Sequence, residues 1–237
     1  MSQEMTLIFY AFRIPQSEEQ AGHHRPSESQ TLQDVLQSIL AGHDNSFRQA
    51  NLRRKGVNDP ISLEALGPRI CIMGPSNSGK STLAEAISRK TALPVVHLDQ
   101  LHHIPGSHWI PREPAAFRLL HADAVSQEKW VMDGNYTKCI EARLARATGF
   151  ILLDVKMPVA LLRYIRRCYS SIPRIGGLGM SREPVTLEML KYIIRTAPQN
   201  RKRHKKLYDE VRLPKLLLHS PHDIHACLEY WGVESEK

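Results

Sequence analysis

Between residues 69 and 82 the chain reads Arg-Ile-Cys-Ile-Met-Gly-Pro-Ser-Asn-Ser-Gly-Lys-Ser-Thr: a short apolar run, a tight turn and the start of an amphipathic helix. Gly74, Gly79, Lys80 and Ser81 fit the G-x-x-x-x-G-K-[ST] spacing of a phosphate-binding loop. The residue types follow from the chemistry. A polyphosphate needs a ring of inward-pointing backbone N–H groups, and glycines let the loop curl that closely. The helix beginning near Lys80 adds its positive N-terminal end. The motif assigns Gly74, Pro75, Ser76, Asn77, Ser78, Gly79, Lys80, Ser81 and Thr82 to a nucleotide-binding loop. Lys80 then reaches the β- and γ-phosphates, and the Ser81 hydroxyl holds Mg²⁺. A chance Gly/Ser-rich turn would have neither the strand before it nor the helix after it.

From residue 69 onward, β-type and helical patterns alternate. Strands are expected at 69–73, 94–99, 130–133, 150–155 and 215–219, with helices near 80–91, 113–127, 137–146, 157–169 and 185–211. That alternation predicts an α/β fold with a mostly parallel sheet and helices on both faces. Ligands in such sheets sit beyond the carboxyl ends of the strands, so the acids there carry most weight. Asp99 is placed to accept a proton from an acceptor or to help hold Mg²⁺. Asp133 is placed to orient the metal or bind the acceptor, with Asn135 and Tyr136 as further acceptor contacts. Asp154 resembles a Walker-B acid in its apolar context.

The formal charge of +8 is unevenly spread. Residues 1–66 carry a net −2, residues 163–206 a net +10, and the rest is neutral overall. Such a local surplus favours a polyanionic partner, nucleotide phosphates or nucleic acid, against the plainer reading of a solvated helix face. Residues 1–66 form an N-terminal extension, with a strand at 7–12, a polar loop at 15–30 and a helix opening at Thr31 and stopping at Gly42. It is expected to pack on the main domain or to serve a protein partner or self-association. The apolar patch at 5–14 lacks a basic leader and a small-residue cleavage site, so it is not read as a signal peptide. No apolar run approaches a membrane span, and the four scattered cysteines suit a reducing, cytoplasmic setting.

Three segments together carry a resemblance: Gly74-Pro-Ser-Asn-Ser-Gly-Lys-Ser81, Val96-His-Leu-Asp-Gln-Leu-His102 and Trp130-Val-Met-Asp-Gly-Asn-Tyr136. With the basic helical region at 187–206, they resemble the nucleoside-monophosphate-kinase branch of P-loop proteins. The likeness is closest to bacterial adenylate-kinase-like proteins known as DNA topology modulation proteins. It covers about residues 69–220. It implies a P-loop NTPase three-layer sandwich whose five parallel strands are ordered 2-3-1-4-5. It also implies a lid at about 169–184, containing Pro173, Gly176, Gly177 and Gly179, within a domain spanning 67–237. The implied activity is ATP- and Mg²⁺-dependent phosphoryl transfer to a small acceptor, with ATPase activity. The loop after the fifth strand, residues 220–223, is where related kinases contact the adenine base.

Phosphoryl transfer is catalysed chiefly by positioning and by neutralising spread-out negative charge, which makes arginines matter. Arg163 and Arg167 lie four apart on one helical face, Arg174 lies inside the lid, and Arg195 follows it. The catalytic set is therefore Lys80, Asp99, Arg163, Arg167 and Arg174, and the metal set Ser81, Asp99 and Asp133. His97, His102, His103 and His108 crowd the acceptor side without metal-ligand spacing, and Trp109 could wall an acceptor pocket. No N/T-K-x-D guanine motif is present, which argues against a GTPase. Two alternatives remain. One is a nucleic-acid-directed protein, a polynucleotide kinase or DNA binder using the basic run 201–206. The other is a nucleotide-regulated or toxin-like module using residues 1–66.

Overall fold

The structure, a computed structural model, describes residues 61–233 except 108, 171–173 and 179–184, all within one compact unit, Asn58–Lys237. The strand at 7–12 and the helix opening at Thr31 lie outside the described residues, as do His108, Pro173, Gly179 and Pro184.

Five strands, β1 (Arg69–Met73), β2 (Val95–His97), β3 (Trp130–Asp133), β4 (Gly149–Leu153) and β5 (Lys215–Leu218), pair in parallel in the order 2-3-1-4-5. Side chains alternate across a strand, and the sheet is covered on both sides, so the strands are mainly apolar, with Arg69, His97, Asp133 and Lys215 at strand ends. Ile70, Ile72, Ile151 and Leu153 face one core, and Cys71, Met73, Phe150 and Leu152 face the other. The first core is closed by Leu83 and Ile87 of α2 (Lys80–Thr91) and by Cys227 and Leu228 of α9 (Pro221–Tyr230). The second takes Val125 of α4 (Pro114–Ser126), Ile140 of α5 (Ile140–Arg146) and Tyr208 of α8 (Ala197–Glu210).

Residues 61–66, assigned above to the extension, pack with the sheet instead. Leu66 of the short helix α1 (Leu63–Leu66) is fully buried, and the Trp231 indole N–H donates to the Ile61 carbonyl at 2.9 Å. A boundary after residue 66 would split this core.

Three further expectations change. The run 94–99 is not one strand: β2 stops at His97, and α3 (Leu98–His102) begins at once, with Asp99 in its first turn. An acid is favourable there because the start of a helix carries partial positive charge. The 185–211 helix is three segments: α7 (Leu187–Lys191), a π-type stretch Tyr192–Thr196, and α8. Pro198 lacks an N–H, which disrupts the regular α ladder one turn earlier. Residues 220–223 are not a free loop either. Ser220 and Asp223 form a reciprocal capping box that starts α9. The expected helix at 157–169 is α6 (Met157–Tyr169).

Two buried histidines carry a pH prediction. Burial lowers the pKa of His121 and of His204 to about 4, with Arg143 and Lys80 respectively adding to it. An unfolded histidine titrates near 6.5. Between pH 6.5 and 4 the unfolded chain therefore binds more protons, and acid favours unfolding. The unfolding free energy from urea titrations is expected to lose up to about 1.4 kcal/mol per pH unit for each of these two histidines between pH 6.5 and pH 5. His121→Leu should make that dependence shallower.

Candidate functional site

The loop between β1 and α2 is shaped by close approaches. A Cβ on Gly74 would come within 2.5 Å of the Leu153 carbonyl oxygen and 2.8 Å of the Leu153 Cβ, so only glycine lets β1 turn against β4 here. Asn77 is left-handed with φ 62°, which keeps the loop curled. Buried nitrogen and oxygen of the Asn77 side-chain amide have no hydrogen-bond partner, and neither does the Ser78 hydroxyl. Gly79 caps α2 without a side-chain bond to its first N–H groups. Lys80 donates from Nζ to the Pro75 carbonyl at 2.8 Å, and burial lowers its pKa against the pull of Asp133 and Asp99. Unmatched polar atoms, an uncapped helix start and a buried ammonium suit a polyanion.

Next to the loop, the parallel register pairs Ile72 of β1 with Asp133 of β3. Asp133 Oδ2 thereby accepts from the Ser81 hydroxyl at 2.6 Å. His97, at the end of β2, faces Asp133 Oδ1 from Nδ1 at 2.5 Å, and its Nε2 faces Glu85 Oε1 at 3.2 Å. Burial works against charge on both groups. For Asp133 the bonds from His97 and Ser81 prevail and lower its pKa; for His97 the two carboxylates prevail and raise it. A hydroxyl and a carboxylate are hard oxygen donors of the kind magnesium takes. Among the described residues no three His, Cys, Asp or Glu side chains cluster as a metal site, so an ion here would depend on nucleotide phosphates for further ligands.

Asp99 does not join that pair. Its Oδ1 accepts from the Tyr136 hydroxyl at 2.8 Å and its Oδ2 from Arg174 at 3.0 Å. Burial, then the Asp99 charge, raises the Tyr136 pKa, so Tyr136 stays a neutral donor. The Arg174 guanidinium also lies over the Trp109 ring, 4.5 Å from its centroid, and Trp109 meets His103 edge-on. Around Tyr136 stand Phe117 and His102, whose own pKa is lowered by burial and by His103. Of the expected lid, residues 169–170 and 174–178 are described, and the second stretch rests on this side. Gln100 donates to the Gly177 carbonyl at 3.0 Å and the Gly106 N–H to the Leu178 carbonyl at 3.2 Å.

The other arginines converge from α6. Arg163 donates to the Ser78 carbonyl at 2.6 Å, and Arg167, with Arg174, bears electrostatically on Lys80. Arg195 is exposed. The Asn135 amide oxygen accepts from the Gly74 N–H at 3.1 Å, which ties this residue to the loop between β1 and α2. The Ser81 hydroxyl bonds Asp133 and not Asp154. Asp154 instead accepts from both Nε and Nη2 of Arg201 and faces His219 at 3.3 Å. In the basic run 201–206, Arg201 is thus paired, His204 is buried, and Lys205 and Lys206 pair with Asp209 and Glu210.

Three residues here escaped the sequence reading as parts of a site. Glu85 is a surface-type helix position, and His97 stood only among several histidines. Arg143 looked like one more helical cation, yet it is fully buried and donates to the carbonyls of Gly134, Asn135 and Tyr136 at 2.8, 2.7 and 3.2 Å. No sequence signal marks that role, because the partners are backbone atoms.

No family model and no curated protein matches the chain. Among solved structures, it is similar to a gluconokinase from Sinorhizobium meliloti at 20% identity, covering 70% of this chain and 93% of that one, with a TM-score of 0.43. A shikimate kinase from Aquifex aeolicus is similar at 18% identity, over 68% and 92% of the two chains, with a TM-score of 0.40. A deoxyadenosine kinase from M. mycoides, solved with bound dCTP, follows at 15% identity, 68% and 95% coverage and a TM-score of 0.38. These likenesses are too distant to assign an activity.

Arg143→Leu should cost at least about 2 kcal/mol of stability in urea unfolding, since one buried and two part-buried carbonyls lose a charged donor together.

Proposed function

We propose that the chain transfers the γ-phosphoryl group of ATP to a hydroxyl of a small acceptor. The observation that carries this reading is the meeting of the phosphate-type loop at Lys80 with the half-exposed Asp99 carboxylate, which Tyr136 and Arg174 hold in place. Both carboxylates, Asp133 and Asp99, act electrostatically on Lys80, so the two halves of the site lie within one field.

In this mechanism the loop N–H groups from Gly74 to Thr82 and Lys80 bind the β- and γ-phosphates, with Asn135 bracing Gly74. The Ser81 hydroxyl would hold magnesium, which would supply neutralisation of the phosphate charge. Asp133 keeps that hydroxyl oriented. Asp99 takes the proton from the acceptor hydroxyl as its oxygen bonds to the γ-phosphorus and the bond to the β-phosphate oxygen breaks, releasing ADP. Arg163, Arg167 and Arg174 balance charge on the transferred group, Arg174 by moving from Asp99 as the acceptor enters. Trp109, His102, Phe117 and Tyr136 form the acceptor wall.

A screen with γ-labelled ATP over nucleosides, nucleotides, sugars and oligonucleotides tests the proposal, with label expected on a small hydroxyl-bearing acceptor. Lys80→Ala should abolish transfer while leaving the unfolding midpoint near that of the wild type. Asp99→Asn should lower kcat by about 10²- to 10⁴-fold, the usual weight of a general base. Near-normal turnover in Lys80→Ala would reject the mechanism.

A further inference from the structure

Resting on the nucleotide-site reading above, we propose that Glu85 and His97 are positioning residues that hold the metal end of the site through Asp133. The four side chains form one line: Glu85 Oε1, the two edges of the His97 ring, both oxygens of Asp133 and the Ser81 hydroxyl, at successive separations of 3.2, 2.5 and 2.6 Å. They come from three elements. Ser81 and Glu85 lie four residues apart on one face of α2, His97 ends β2 and Asp133 ends β3.

The arrangement solves an orientation problem. A carboxylate can rotate about its last torsion and present either oxygen or neither. Asp133 is buried, so an unpartnered Oδ1 would be costly, and it would turn toward any donor it could find. The His97 ring supplies that donor from the side opposite Ser81 and leaves Oδ2 for the hydroxyl. A ring anchored at one edge could still pivot; Glu85 fixes the second edge. Ser81 then donates its only hydrogen to Asp133, which leaves its oxygen lone pairs for a cation.

Gly176 ties the same line to the segment above it. A Cβ on Gly176 would lie 2.8 Å from His97 Nδ1 and 3.1 Å from Ser81 Oγ, so the backbone at Gly176 rests on these two groups. The His97 ring is thus a floor for that segment as well as a brace for Asp133.

The effect is confined to metal-dependent binding, and the test uses that. Full-length wild type, His97→Leu, His97→Asn and Glu85→Ala are titrated calorimetrically with ADP in excess Mg²⁺ and with ADP in chelator. Loss of an outer partner of a metal ligand costs about 10- to 100-fold in metal affinity. His97→Leu should weaken Mg·ADP binding by at least about 10-fold and leave metal-free ADP within about twofold. His97→Asn, which keeps a donor toward Asp133, should recover most of the loss. Glu85→Ala, at a part-exposed site that folding tolerates, should show a smaller loss with the same metal selectivity, and it decides the matter if His97→Leu does not fold. Equal weakening with and without metal, or no weakening in either, overturns the inference alone. Failure of the wild type to bind ADP under both conditions overturns the nucleotide-site reading with it.

Discussion

The Ser81–Asp133 hydrogen bond, 2.6 Å long, joins the two parts on which the rest of the site depends. One partner begins α2 and the other ends β3, so the bond exists only if the loop between β1 and α2 has its tight form and β3 lies in register beside β1. The pairing of Ile72 with Asp133 provides the register, and the approach of Gly74 to Leu153 provides the turn. Both rest on a sheet buried on two faces, where a slip of one residue would exchange the two cores.

Around that bond the sheet order brings chain-distant residues together. With β1 central, its neighbours β3 and β4 and the next strand β2 all deliver their carboxyl ends to one edge. Asp133 and His97 arrive from one side, Asp154 from the other, and α6 lays Arg163 across the loop. The two acids at either side of β1 then part company. Asp133 turns to Ser81 and His97; Asp154 turns to Arg201 on α8 and joins that helix to the sheet. Arg143 holds the backbone of 134–136 from below, which in turn sets Asn135 on Gly74 and Tyr136 on Asp99.

Local signals in the sequence were enough for the loop, all five strands to within two residues, and the helix at 157–169, because each depends on pattern over a few residues. The sheet order came only with the family resemblance, and it is the order observed. The second strand was drawn too long because Leu98 continues the apolar run, although it starts a helix and is buried beneath Gly134. The capping box at Ser220 was legible but was read through the resemblance as a loop. The metal set read from the sequence already holds Asp133 and not Asp154, but the partners of the two acids, Ser81 and Arg201, were beyond the sequence, since both acids follow apolar runs. The distinction arises from what α2 and α8 place opposite them. Glu85, His97 and Arg143 were hidden for the same reason: their partners are distant side chains or backbone carbonyls, which no local spacing encodes.

The central claim is that the loop around Asn77 encloses the phosphate tail of a nucleoside triphosphate and presents its end to Asp99. A crystal structure with magnesium and a non-hydrolysable ATP analogue tests it most directly. The account predicts the β- and γ-phosphates inside residues 74–82, Lys80 moved from the Pro75 carbonyl onto them, and Asp99 facing the terminal phosphate. A loop still closed by Lys80 on Pro75, with the analogue bound elsewhere or absent, would contradict it.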